Sequence, residues 1–286
     1  MLNRRHRAAL LSSVAALAVA VGGAPAAQAS TASTATSTNW AGYAATRSGV
    51  KFRHVSATWV QPAVSCTSGR RTYSSTWVGL GGDSAASTAL EQIGTEADCS
   101  ASGTAHYSTW YELVPDISHS AKLVLKAGDQ LHASVAVKGT LVTVKLSNLT
   151  RGTSFTKTLR AAAVDTTSAE WVVEAPSLCS GTSTSSCTIG ALANFATTSF
   201  SAATATTTAG HTGAISDSAW HATAINLTGG PQGRRRFAGE TSASASAVQA
   251  STGALDGTGS AFTVAFQEST AATTASSASM AGRRAG

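Results

Sequence analysis

Acidic residues are scarce in this 286-residue chain, 14 against 20 Lys and Arg, so the place of each one carries information. Several fall in aromatic, alternating segments. Glu112 ends Trp110-Tyr-Glu112, and Glu170 and Glu174 lie in Ala169-Glu-Trp-Val-Val-Glu174. Side chains two apart on a strand share a face. Trp110 therefore pairs with Glu112, and Glu170 with Val172 and Glu174, while Trp171 and Val173 turn the other way. A carboxylate beside Trp on a sheet face suits a binding cleft, and equally a wet sheet surface. Gln92, in Ala89-Leu-Glu-Gln-Ile-Gly94, is an amide that needs hydrogen-bond partners if buried, whether structural or in a site. A carboxylate can take a proton from water, and an amide can donate to a developing oxyanion.

Other chemistries lack their signatures. There is no Gly-x-Ser-x-Gly elbow, no His-Glu-x-x-His helix and no Walker loop. The seven histidines form no recognisable constellation, and Cys66, Cys99, Cys179 and Cys187 show no Cys-x-x-Cys spacing, so neither a metal nor an organic cofactor is expected.

The elements that would carry these residues read as strands. Val55–Val60, Ser74–Gly79, Tyr107–Glu112, Leu131–Val137, Leu141–Leu146 and Ala261–Phe266 alternate with period two and are rich in β-branched and aromatic residues. Lys126–Asp129 and Lys138–Thr140 read as turns, the second closing a hairpin. Many short strands with regular turns define an all-β, mostly antiparallel sandwich or jelly roll. Asn148-Leu-Thr150 and Asn226-Leu-Thr228 match the N-glycosylation sequon.

The N-terminus reads as an export signal. Arg4, Arg5 and Arg7 precede a small, apolar run from Ala8 to about Val21, and Ala27 and Ala29 fit a cleavage site that leaves Ser30 as the mature start. The run is too short to span a bilayer, so a secreted protein with no membrane attachment after cleavage is expected. Net charge falls from +6 to +3 once those three arginines leave. Arg234-Arg235-Arg236 is the one compact basic cluster and reads as a solvated loop, so no nucleic-acid partner is expected. In an exported chain four cysteines suggest two disulfides. Cys179 and Cys187 bracket a polar loop, which leaves Cys66 for Cys99. The expected organisation is a signal over 1–29, a flexible arm over 30–38, one domain over 39–268 and a low-complexity tail over 269–286. With no heptad or interface stripe, a monomer is expected.

Asn39-Trp-Ala-Gly42, Ala57-Thr-Trp-Val-Gln-Pro62, Trp77-Val-Gly-Leu-Gly-Gly82, Gln92-Ile-Gly94, Trp110-Tyr-Glu-Leu-Val-Pro115 and Ala169-Glu-Trp-Val-Val-Glu174 follow one another in the chain. This ordered set resembles the glutamic peptidases (eqolisins, peptidase G1), the pepstatin-insensitive acid peptidases, from Asn39 to about Phe200. The resemblance implies two large antiparallel sheets in a bent, concanavalin A-like sandwich with the active site on its concave face. It implies that Gln92 and Glu170 are catalytic, that Trp77 and Trp110 line the cleft, and that Glu112 is a carboxylate near the substrate. The implied reaction is endopeptidase cleavage of proteins or peptides at acid pH by an activated water, with no covalent intermediate. Fungal members carry an acid in the Trp-x-Gly-x-x-Gly turn where this chain has Gly81, with Asp83 close behind. Residues 30–37 are also shorter than a fungal propeptide.

Two other readings use the same residues. A glycoside hydrolase would pair Glu112 with Glu170, and a sugar-binding module would stack its ligand on Trp77 and Trp110. The glycosidase gives Gln92 no necessary role, and the binding module should keep its function in Glu170→Gln.

Overall fold

A computed structural model describes residues 32–179, 187–229 and 248–268. The predicted export signal, the loop over 180–186, Arg234–Arg236 and the tail from 269 lie outside the described residues. Eighteen strands occur among those described: β1 Ser33–Ser37, β2 Trp40–Thr46, β3 Phe52–Val60, β4 Ser75–Leu80, β5 Leu90–Cys99, β6 Ala105–Val114, β7 His119–Ser120, β8 Gln130–Lys138, β9 Leu141–Asn148, β10 Thr153–Arg160, β11 Ser168–Glu174, β12 Ser177–Cys179, β13 Cys187–Ile189, β14 Thr197–Thr207, β15 Thr212–Ala214, β16 His221–Leu227, β17 Ala250–Thr252 and β18 Phe262–Phe266. No helix occurs among the described residues.

The sandwich expected from the alternating pattern is present, and its two layers are halves of one folded-over ladder. Hydrogen bonding runs β10-β9-β8-β3-β14-β18-β17-β16-β2-β11-β4-β5-β6-β7. The β3, β8 and β9 half lies face to face with the β4, β5 and β11 half. Between them sits the main core, which includes Trp59, Val78, Leu80, Ile93, Leu131, Val144, Trp171 and Phe200. Burying such side chains contributes about 1.5–3 kcal/mol each.

Local chemistry sets several joints. The β8–β9 hairpin closes with Lys138 opposite Leu141. Gly139 at φ 60° supplies the positive dihedral that a two-residue hairpin loop needs. Cys66 is bonded to Cys99, and Cys179 to Cys187 across the β12–β13 pair. Two expectations change. Ser33–Ser37, placed in a flexible arm by its polar composition, forms β1 and pairs parallel to the edge of β16, where Ser33 Oγ meets Thr223 Oγ1 at 2.8 Å. Asn148 of the first sequon is buried, and its amide donates to Asp129 Oδ2 at 2.8 Å, so it is not displayed for glycosylation.

Candidate active site

The same alternation that fills the core on one face of β2, β11, β4, β5 and β6 sends the even-numbered residues of these strands, other than those of β4, to the opposite face. Register then aligns them. Glu170 of β11 lies opposite Gly79 of β4, Gly79 opposite Gln92 of β5, and Gln92 opposite Glu112 of β6. One cross-strand row thus reads Glu170, Gly79, Gln92, Glu112. The next row on this face is Val172, Trp77, Gly94, Trp110, and the one beyond is Glu174, Ser75, Glu96, Ser108.

The two glycines make this arrangement possible. A Cβ on Gly94 would stand 2.5 Å from Trp77 Cβ and from Thr76 O, so only Gly lets the indole of Trp77 lie across β5. A Cβ on Gly79 would meet the Trp77 ring at 2.9 Å. Its absence makes room for the Trp77 ring and the Leu90 side chain between Glu170 and Gln92.

Hydrogen bonds fix the polar groups. Gln92 Nε2 donates to Glu112 Oε2 at 2.6 Å. A primary amide has two N–H groups, so a second donor remains beside the one held on Glu112, and Gln92 Oε1 has no hydrogen-bond partner among the described residues. Trp77 Nε1 donates to Glu174 Oε2 at 2.8 Å and Asn39 Nδ2 to Glu174 Oε1 at 3.0 Å. Trp40 packs edge-on against Trp77 with ring centroids 4.9 Å apart. Trp40, Ala44, Trp77, Leu90, Trp110, Val114, Val172 and Ile225 form a second, smaller apolar cluster around this row.

A cleft of about 260 Å³ opens on this face, bordered by Gln92, Trp110, Glu112, Glu96, Glu174 and, across it, Ile117, Ser118 and Pro176. The expected residues divide between its wall and the layer behind. Gln92, Glu112 and Trp110 border it. Trp77 does not: it is fully enclosed, held by Glu174, and shares an apolar cluster with Trp110 across the intervening β5. Glu170 is 0% exposed and lies two strands beyond Gln92 in the row, outside the lining of the cleft. Neither of its carboxyl oxygens has a hydrogen-bond partner among the described residues. Burial holds its pKa well above the ordinary value; the nearby Ser168 hydroxyl, although it makes no well-formed hydrogen bond to the carboxyl, partly offsets this, and Asp83, Asp165 and Glu91 add repulsion. Burial likewise raises Asp83 to about 6 and Glu91 to about 8. Glu96 and Asp165 were missed in the sequence. Glu96 shares the face of Gln92 four residues on and was legible by alternation. Asp165 lies in a loop with no periodicity to flag it.

Among the described residues, no group of three or more His, Cys, Asp or Glu is arranged to hold a metal ion. Residues 38–252 match the Peptidase A4 family, the eqolisins or glutamic peptidases, and the chain belongs to it. The match runs well past Phe200, where the sequence motifs stop. Scytalido-glutamic peptidase, solved with a transition-state analogue inhibitor, is 24% identical over 80% of this chain and 98% of its own, with a TM-score of 0.64. SCP-B, an eqolisin solved with the tripeptide Ala-Ile-His, is 22% identical over 80% of this chain and 98% of its own, with a TM-score of 0.60. Aspergilloglutamic peptidase from Aspergillus niger is 27% identical over 68% of this chain and 99% of its own, with a TM-score of 0.51. A comparison with curated proteins found no match. The protein is a glutamic-type endopeptidase by family.

Proposed function

We propose that this chain is a secreted, monomeric endopeptidase that cleaves proteins or peptides in mildly acid solution through water activated by Glu170 and oriented against Gln92. The observation that carries the reading is the row Glu170, Gly79, Gln92, Glu112, in which a carboxyl and an amide flank a position with no side chain.

In this reading a water and the scissile carbonyl enter from the cleft beside Gln92. Ionised Glu170 takes a proton from the water as it attacks. The free N–H of Gln92 donates to the oxyanion, while Glu112 holds the amide in that orientation. Protonated Glu170 then passes its proton to the leaving nitrogen, and no covalent intermediate forms. Trp110 and Glu112 contact the substrate, and Trp77 shapes the wall from behind. The raised pKa of Glu170 sets the acid limb: activity rises with pH as Glu170 ionises. The two disulfides fit an oxidising, extracellular setting.

The glycosidase reading is disfavoured by the register. Glu112 and Glu170 stand three strand spacings apart, ~14 Å between backbones, beyond the ~5–9.5 Å between paired glycosidase carboxyls. Gln92 also stands between them, bonded to Glu112.

The test is cleavage of an unfolded protein by the mature chain from about pH 2 to 8, with and without pepstatin, beside Glu170→Gln and Gln92→Ala. Pepstatin-resistant cleavage lost in both variants is the expected result. A folded wild type that cleaves nothing at any pH, before or after limited proteolytic trimming, would sink the reading.

A further inference from the structure

The segment entering β11 and the turn joining β4 to β5 meet at one side chain that the mechanism does not use. Asp165 Cβ lies 2.6 Å from where a Cβ on Gly81 would stand, so the missing side chain of Gly81 is what admits it. Gly81 has φ +87°, a conformation glycine adopts readily. Asp165 Oδ2 is 2.5 Å from Ser87 Oγ, and that hydroxyl is 2.9 Å from Ala89 O and accepts from Gly82 N at 3.2 Å. Asp165 Oδ1 accepts from Thr167 N at 2.9 Å and from Thr167 Oγ1 at 2.7 Å. Gly81 N in turn donates to Ser168 O at 3.2 Å. Ala89 is three residues before Gln92, and Thr167 three before Glu170. One carboxylate therefore ties the entries of both strands that carry the reacting pair.

We propose that Asp165 is a positioning residue: it clamps the turn leading to Gln92 onto the start of the strand carrying Glu170, and stands as a fixed anion beside the Glu170 carboxyl. The inference rests on the reading of Glu170 as the general base. Burial would raise the Asp165 pKa, but its bonds from Ser87 and Thr167 and the Gly82 amide outweigh that and hold it below the ordinary value. It is thus charged when Glu170 is not. The charges reaching Glu170 are Asp83 from the turn, Asp165 from the β10–β11 loop and Glu91 from β5, all of one sign. Arg47 and Lys51, from the β2–β3 loop, border a separate pocket beside Asp83 and Ser168 and are exposed. Asp165 stands apart from the substrate cleft, so it acts on the reaction through Glu170 and Gln92.

Two variants separate the charge from the clamp. Asp165→Asn removes the charge and keeps the shape; Ser87→Ala loosens the clamp and leaves the carboxylate its two Thr167 donors. The first readout is the carboxyl carbon-13 titration of Glu170, assigned by its loss in Glu170→Gln. The second is the pH profile of kcat and KM on an unfolded protein. In Asp165→Asn the Glu170 midpoint and the acid limb of kcat should both move to lower pH, with KM held within about twofold because only the reacting groups are disturbed. In Ser87→Ala, kcat should fall about tenfold through misplacement of the pair, with KM again held. A Glu170 titration unchanged in folded Asp165→Asn overturns the proposal. Should Asp165→Asn not fold, Ser87→Ala decides, and a kcat equal to wild type overturns it. A wild type without peptidase activity counts against the base assignment alone, because the Glu170 titration still reads the Asp165 charge.

Discussion

The molecule buries carboxyl groups in two opposite ways. At the corner where β8 begins and β9 ends, Asp129 is enclosed, but one of its oxygens gathers three donors. Its Oδ2 accepts from Arg151 Nε at 2.6 Å, Asn148 Nδ2 at 2.8 Å and Lys126 N at 3.0 Å. Burial would raise its pKa, and these partners instead hold it below the ordinary value. At the centre of the other layer, Glu91 and Glu170 have no hydrogen-bond partner for any carboxyl oxygen among the described residues, and burial drives both upward. Glu91 lies opposite Leu80 and Leu113, facing the core, while Glu170 faces the cleft side. A carboxyl with partners is a structural joint that wants its charge. A carboxyl without them is a stored proton, and storing one in the middle of a sheet is an expense the fold meets only where the proton has a use.

The largest test of that contrast is Glu170→Gln. Removing the proposed base while keeping the shape should lower kcat/KM by about 10³-fold or more, in the upper part of the span for one acid–base group because both proton transfers pass through it. The fold should survive, and above neutral pH the variant should melt no lower than wild type, since no buried carboxyl remains there to ionise. Gln92→Ala comes next, with an expected loss of about 10²–10³-fold in kcat, the range for one oxyanion donor. It also leaves Glu112 without its amide, so Gln92→Glu should not rescue it: a second carboxylate beside Glu112 raises repulsion without supplying a fixed donor at higher pH.

Much of this was legible in the chain. Alternation in Trp110-Tyr-Glu112 and Glu170-Trp-Val-Val-Glu174 gives strand, face and partner at once, because a two-residue period has only one solution per strand. The ordered motifs led to Gln92 and Glu170 as a pair. Register was not legible, since it is set by contacts far apart in sequence: β11 pairs with β2 and β4, more than 80 residues earlier in the chain. For the same reason Trp77 reads as a cleft wall in sequence but is enclosed by Glu174 and Trp40, which come from other strands. Glu91 was illegible for a different reason. An acid between Leu90 and Gln92 looks like a solvent position, and only the second layer packed over β5 encloses it. Asp165 lies in Val164-Asp165-Thr166-Thr167, an ordinary loop string whose meaning comes from Gly81 and Ser87.

The third prediction attacks the corner. Arg151→Ala leaves Asp129 with two partners of three and should cost about 1–3 kcal/mol, the range for a charged hydrogen bond to a buried acceptor, read as a lower urea midpoint with an unchanged slope. Peptidase activity below the transition should not change, because Asp129 and Arg151 lie away from the cleft. The sign with pH is fixed by the lowered pKa of Asp129: its contribution is present above the unfolded carboxylate range and is lost as pH falls through the folded value.

The smallest effect carries the opposite sign. Glu91 shifts from 4.5 to about 8, so its contribution to stability is complete below pH 4.5 and is lost as pH rises towards 8. Asp83, raised to about 6, and Asp98, raised to about 7 by burial and by the neighbouring Glu96, run the same way. The whole fold should therefore be most stable in mild acid, with Asp129 and Asp165 setting the lower limit and these buried acids the upper one. Glu91→Gln isolates one of them. At pH 4 Gln replaces a protonated Glu of nearly the same shape, and Tm should hardly move. At pH 8 the wild type must ionise or strain a carboxyl between Leu80 and Leu113, and the variant should melt about 2–8 °C higher. Glu91 faces away from the cleft, so a rise in Tm with kcat unchanged marks a stored proton that serves stability in acid alone. A rise equal at both pH values would mean that Glu91 acts through packing, and the contrast with Asp129 would then lose one of its two centres.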